Sequence, residues 1–257
     1  MSRNLNQAFA LLLAALLATA VLPLVAAAQR PMDPVYVALD AETYLRLVPL
    51  SLYDGYAPLL LRSGPADDAV IDNFVSRHGG VRIDVGPGDV DMLLAAAWPA
   101  PEQIVLVPLD IQWSVVGAAL AARLDAPLYF ERPARTDDQE LITFTDPAAL
   151  YEAYRSSLGD APGIVLLEDD EFAPVGALIA AYRGAMPTWN RDTIARDRPP
   201  VATWVTAPER VTREQVRALY AACHYDHVQV GYDAHRDIIA DLDARRRRAA
   251  RRPRVRL

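Results

Sequence analysis

The stretch VVGAALAARLDAPLYF, residues 115–130, is echoed about sixty residues later by PVGALIAAYRGAMPTW, residues 174–189. Between positions 116–126 and 175–185 six residues coincide, one of them glycine and four of them alanine. Identities alone carry little weight in so alanine-rich a chain, but the surroundings match as well. IVLVPL (104–109) precedes the first copy and GIVLLE (163–168) the second; LITFT (141–145) follows the first and VATWVT (201–206) the second. An element order repeated with its sequence is the signature of a structural repeat. VPLSLYDGYAPLLL (48–61), followed by a segment ending in VRIDV (81–85), gives a looser third copy.

The flanking runs are apolar without alternation, as in strands buried on both faces of a parallel sheet. VYVAL (35–39), PLLL (58–61), PLYFE (127–131) and HVQVGY (227–232) extend the set. Helix starts lie between them. Ser63 precedes Pro65, Asp67 and Asp68; Asp146 and Pro147 open PAALYEAYRSSLG, which Gly159 can close; Thr212 and Gln215 have the spacing of a capping box. Strands alternating with helices imply right-handed crossovers. The expected fold is therefore α/β, a three-layer sandwich with a mainly parallel sheet built from two or three degenerate βα repeats. Gly117, Ala118, Ala121 and Ala122 would let a helix lie close on that sheet.

Composition sets the compartment and the class of partner. Arg3, an apolar run from Ala8 to about Val25, and Ala26-x-Ala28 have the order of a secretory signal, so residues 1–28 are expected to be removed and the product to be secreted or periplasmic. Retention as a membrane anchor is the alternative, since the run is long enough to span a bilayer. Units are then expected at 29–100, 101–170 and 171–240, with an arginine-rich tail at 241–257. Cys223 is the only cysteine, so no intrachain disulfide can form, and a chain with 52% hydrophobic residues must rely on its core. All 26 basic residues are arginine. Residues 29–244 hold 17 of them against 33 carboxylates, a formal charge of −16, which disfavours nucleic acid and anionic lipid. The eight arginines of RRRRAARRPRVRL are either the cationic end of a helix or a grip on an anionic envelope polymer or on the acidic body itself.

The order of strand, GAALAARLDAPLYF, and LITFTDPAALYEAYRSSLGDAPGIVLLE resembles the cell wall-binding repeat 2 family, with Leu120, Ala121, Ala126 and Pro127 carrying the match best. The resemblance implies tandem Rossmann-like modules on an exported protein, holding anionic cell-wall polymers. The Arg-Tyr-x-Thr-Ala opening of those repeats is absent, DAETYLRL (40–47) being an eroded version at best.

Open α/β sheets gather ligands beyond the carboxyl ends of their strands. Asp40, Asp84, Asp110, Glu168 and Asp169 all lie at or just past such ends and are the candidate ligand-binding residues. Such a group could take a hard cation; Asp110 with Glu168 could serve as acid and base in glycoside cleavage. The other reading is that these residues start helices and solvate loops. His224 and His227 have zinc-ligand spacing, but they fall at a helix-to-strand turn instead of on one helical face. Without lysine, P-loop and Schiff-base chemistry are excluded, and no nucleophile elbow or dinucleotide glycine pattern occurs. The favoured reading is a cell-envelope binding or scaffold module without cofactor, its partner an envelope polymer or protein. The alternative is an extracytoplasmic carbohydrate-acting hydrolase.

Overall fold

VYVALD at 35–40 and VLVPLD at 105–110 run a strand into an aspartate in the same way. In both, the valines are buried, the leucine before the aspartate is exposed, and the aspartate caps a helix. Asp40 Oδ1 accepts Thr43 N–H at 2.7 Å, and Asp110 Oδ1 accepts the N–H groups of Gln112 and Trp113 at 3.0 and 3.3 Å. Each cap satisfies donors that the first helical turn leaves unpaired, an effect of about 1 kcal/mol.

The computed structural model of the chain describes residues 34–53, 57–133, 139–159, 162–167, 172–190, 202–205 and 228–230. The first unit contains β1 (Pro34–Ala38), α1 (Ala41–Leu52), β2 (Leu59–Leu61), α2 (Asp68–His78), β3 (Val81–Val85) and α3 (Pro87–Ala97). The second contains β4 (Gln103–Leu106), α4 (Ile111–Arg123), β5 (Leu128–Tyr129), β6 (Glu140–Thr143) and α5 (Pro147–Ser156). The third begins earlier than the expected boundary at residue 171, because β7 (Gly163–Leu167) pairs with β8 (Ala185–Thr188) and β9 (Ala202–Val205); it also contains α6 (Ala173–Arg183) and β10 (Val228–Val230).

Three small sheets result, ordered β2-β1-β3, β5-β4-β6 and β8-β7-β9-β10, and every pairing is parallel. In each unit the first strand lies in the interior of its sheet, the second on one side and the third on the other. The fold is thus α/β, made of repeated βα units with parallel sheets. Among the described residues no helix is long and apolar enough to cross a membrane.

The three helices that follow the first strands, α1, α4 and α6, pack against one another. Their sequences explain how. In α4 every residue from Ser114 to Ala121 is buried, and in α6 the buried set runs through Ala173, Gly176, Ala177, Leu178, Ile179, Ala180 and Ala181. A helix buried almost all round must meet its neighbours closely, and small side chains permit that. Gly117 and Gly176, equivalent in the repeated phrase, also face their own strands. A Cβ on Gly117 would stand 2.8 and 3.0 Å from the two methyls of Val107, and one on Gly176 would collide with Leu167. Both partners are fully or nearly fully buried, so neither has free space to move into.

The helices α4 and α6 also stop alike. Gly184 closes α6 at φ 62°, and Asp125 occupies the matching left-handed position after α4 at φ 52°, a conformation that aspartate tolerates better than most side chains.

Two helices lie where the sequence reading named none. GPGDVDMLLAAA forms α3, with Pro87 at the first helical position and Asp89 in the first turn. The segment AETYLRLVPLSL is helical through Pro49, whose carbonyl still accepts Tyr53 N–H at 2.9 Å.

Replacing Gly176 by Ala is expected to lower stability by about 1–3 kcal/mol through overpacking against Leu167. In a Leu167→Ala background the same change should be neutral or stabilising, because the clash is gone and alanine is the better helix former by about 1 kcal/mol. Denaturant unfolding of the four proteins of this cycle measures the coupling.

Candidate functional site

The described strand-end carboxylates fall in two sheets, and each has a local partner. β1 and β3 are neighbours, with Val37 opposite Asp84, so Asp40 and Asp84 belong to one sheet; Asp110 follows β4 in another. Asp40 uses one oxygen for Thr43 N–H and the other for the Thr43 hydroxyl at 2.8 Å, and Asp110 is occupied by its own helix. Asp84 lies in a surface ion network, accepting Arg82 Nε–H at 2.8 Å. Arg82 reaches Asp72 and Asp68 as well, both at 2.7 Å, and Arg62 grips Asp68 through two bonds of 3.0 and 2.8 Å. Hydrogen bonds from Arg62 and then Arg82 hold the Asp68 carboxyl well below the usual carboxylate range. Glu168, Asp169, His224 and His227 lie outside the described residues. Among the described residues no group of three His, Cys, Asp or Glu side chains is placed to hold a metal ion.

A concave site occurs where the second unit meets the third. Its volume is about 450 Å³, inside the range of roughly 300–1,000 Å³ common for small-ligand sites. Trp113 and Val116 enter from the first turns of α4, and Tyr151 and Leu150 from α5, whose cap Asp146 accepts Ala149 N–H at 2.8 Å. The end of β8 and the two residues after it complete the wall with Pro187, Thr188, Trp189 and Asn190. This is the carboxyl end of an edge strand facing two helix starts, a place where such folds bind ligands.

The chemistry of the lining is narrow. Trp113, Tyr151, Trp189, Gln112, Asn190 and Thr188 supply the aromatic and polar part of the lining, with no carboxylate, guanidinium, imidazole or thiol among the lining residues; the Thr188 hydroxyl accepts Asn190 N–H at 3.2 Å. Trp189 Nε1 is closed off from solvent without a hydrogen-bond partner among the described residues. Beneath the site Tyr154, on α5, donates its hydroxyl to Ala185 O at 3.0 Å and so ties the second unit to the edge of the third. Burial raises its pKa well above the ordinary tyrosine value, so it remains a donor at physiological pH.

The sequence reading did not name Trp113, Tyr151 or Trp189. A signal was present: Trp113 lies three residues past Asp110, Tyr151 five past Asp146, and Trp189 ends the second copy of the repeated phrase. Only the packing of two units shows that these positions meet.

Fold and site together define a three-unit α/β repeat protein with an aromatic cleft between two of its units. Comparison with known proteins finds no matching family model, no matching curated protein and no matching solved structure.

The ion network has a pH signature. A carboxyl whose folded pKa is depressed adds stability that is complete above its unfolded value, near 4, and is lost as pH falls below it. Asp68→Asn is therefore expected to lower stability at neutral pH and to flatten its decline on acidification, seen in urea midpoints collected from neutral pH downward. High salt should shrink the difference, because the ion network is open to solvent on one side and Asp68 is only partly buried.

Proposed function

We propose that the chain is exported and serves as a non-enzymatic binding module of the cell envelope, holding a glycan segment in the cleft between its second and third units. The observation that carries this reading is the lining itself. Aromatic faces offer apolar platforms to the faces of sugar rings, and side-chain amides are of the type that pairs with sugar hydroxyls. Hydrolysis of a glycosidic bond most often uses two carboxyl groups across the scissile linkage. No carboxylate lines the cleft, and Asp110, the described member of the candidate acid–base pair, is committed to capping α4. The secretory order of the first residues and the resemblance to cell wall-binding repeats support the envelope as the setting.

The cleft and the arginine-rich tail predict different salt behaviour. Retention by the eight tail arginines would be electrostatic and would fade between about 0.1 M and 1 M salt, whereas stacking in an uncharged cleft would persist. The full chain is expected to co-sediment with insoluble envelope polysaccharide at both salt concentrations, and Trp113→Ala to weaken retention about tenfold or more, as for a central aromatic contact. Retention that disappears at high salt and ignores Trp113 would refute the cleft as the binding site.

A further inference from the structure

The boundary between the first and second units contains the counterpart of the cleft. Arg46 lies six residues past the cap Asp40, as Val116 lies six past Asp110. Asp91 is the fifth residue of α3, as Tyr151 is the fifth of α5. Leu128 pairs with Val105, third in β4, as Pro187 pairs with Val165, third in β7. At the first boundary the space is filled from within. The Arg46 side chain, 9% exposed, forms an ion pair with Asp91. Its guanidinium lies 5.0 Å from the centre of the Tyr129 ring, and its Nε–H is directed at Leu128 O, 3.4 Å away. A planar group thus meets an aromatic ring, an edge carbonyl and a carboxylate.

At the second boundary the arginine has become Val116, and the cleft occupies the place of its side chain. The balancing carboxylate has become the phenol of Tyr151, so nothing in the lining calls for a positive charge. The edge carbonyl is retained. Val105 and Val107 bond to Pro127 O and Tyr129 O, which turns Leu128 O, between them, outward. β8 is likewise an edge strand, and Tyr154 reaches Ala185 O on its outer side, so Pro187 O, two residues further on, points the same way.

We propose that the cleft takes an N-acetylated sugar residue, whose acetamido group occupies the position that the Arg46 guanidinium fills at the first boundary. The acetamido group is planar, uncharged and an N–H donor. It can stack on the aromatic wall and donate to Pro187 O without the carboxylate that a guanidinium needs. The inference rests on the glycan-binding reading and narrows it to one class of sugar.

Tryptophan fluorescence of the full chain, titrated with a short β-1,4-linked N-acetylglucosamine oligomer and with the glucose oligomer of the same linkage, tests it. The acetylated ligand is expected to bind about tenfold more tightly, the value of one well-made hydrogen bond. Equal affinity would overturn the acetamido assignment while leaving glycan binding intact; binding of neither would overturn both. Equal displacement by a short uncharged N-acetylated peptide would assign the cleft to peptide and also overturn it. The double change Val116→Arg with Tyr151→Asp installs the internal plug of the first boundary and should abolish binding with the circular dichroism spectrum unchanged. A folded double variant that binds as the parent does would move the site elsewhere.

Discussion

The close approach of α1, α4 and α6 is the constraint on which the rest of the structure depends. A unit of this kind, with a sheet of three or four short strands, cannot bury its own apolar face, so it must press its inner helix against the inner helices of the other two. Gly117 and Gly176 let α4 and α6 do this while lying directly over Val107, just past the end of β4, and Leu167, the last residue of β7. Buried residues of all three units consequently form one hydrophobic cluster. Where α4 has Gly117, seven residues past its cap, α1 has Leu47, and there the repeat relaxes its sequence while keeping its element order.

Because that packing fixes how units meet, each boundary presents the same three elements: the start of an inner helix, an outer helix, and the carboxyl end of an edge strand. What differs is the side chains. The first boundary is closed by Arg46, Asp91 and Tyr129; the second carries Val116, Tyr151 and Thr188 in the matching positions and stays open. Repetition supplies a scaffold for a site, and divergence at a few positions decides whether the chain itself or a ligand occupies it. Burying a guanidinium is tolerable only with its partners in place, which accounts for the joint change of position 46 and position 91 into an aliphatic and a phenol at 116 and 151.

Much of the fold was legible in the chain because its signals are local. Continuous apolar runs marked most of the strands, and Asp146 with Pro147 marked the start of α5 where the structure has it. α3 was harder, since GPGD reads as a turn until the apolar VDMLLAAA is joined to it, and Pro49 masks the helical character of α1. Candidate chemistry was less legible for a physical reason. A carboxylate at a strand end looks the same in sequence whether it caps a helix, as Asp40 and Asp110 do, pairs with an arginine, as Asp84 does, or meets a ligand. The aromatic cleft depends on residues from separate units, which no local pattern joins.

Native-state hydrogen exchange of the full chain tests the central claim most directly. If the three inner helices form a single core, the slowest amides of α1, α4 and α6 will exchange with one common free energy, equal to that of global unfolding, and with the same denaturant dependence. Opening of α6 at a free energy several kcal/mol below that of α1 and α4 would show that the units fold separately, and would contradict a shared core as the basis of the cleft.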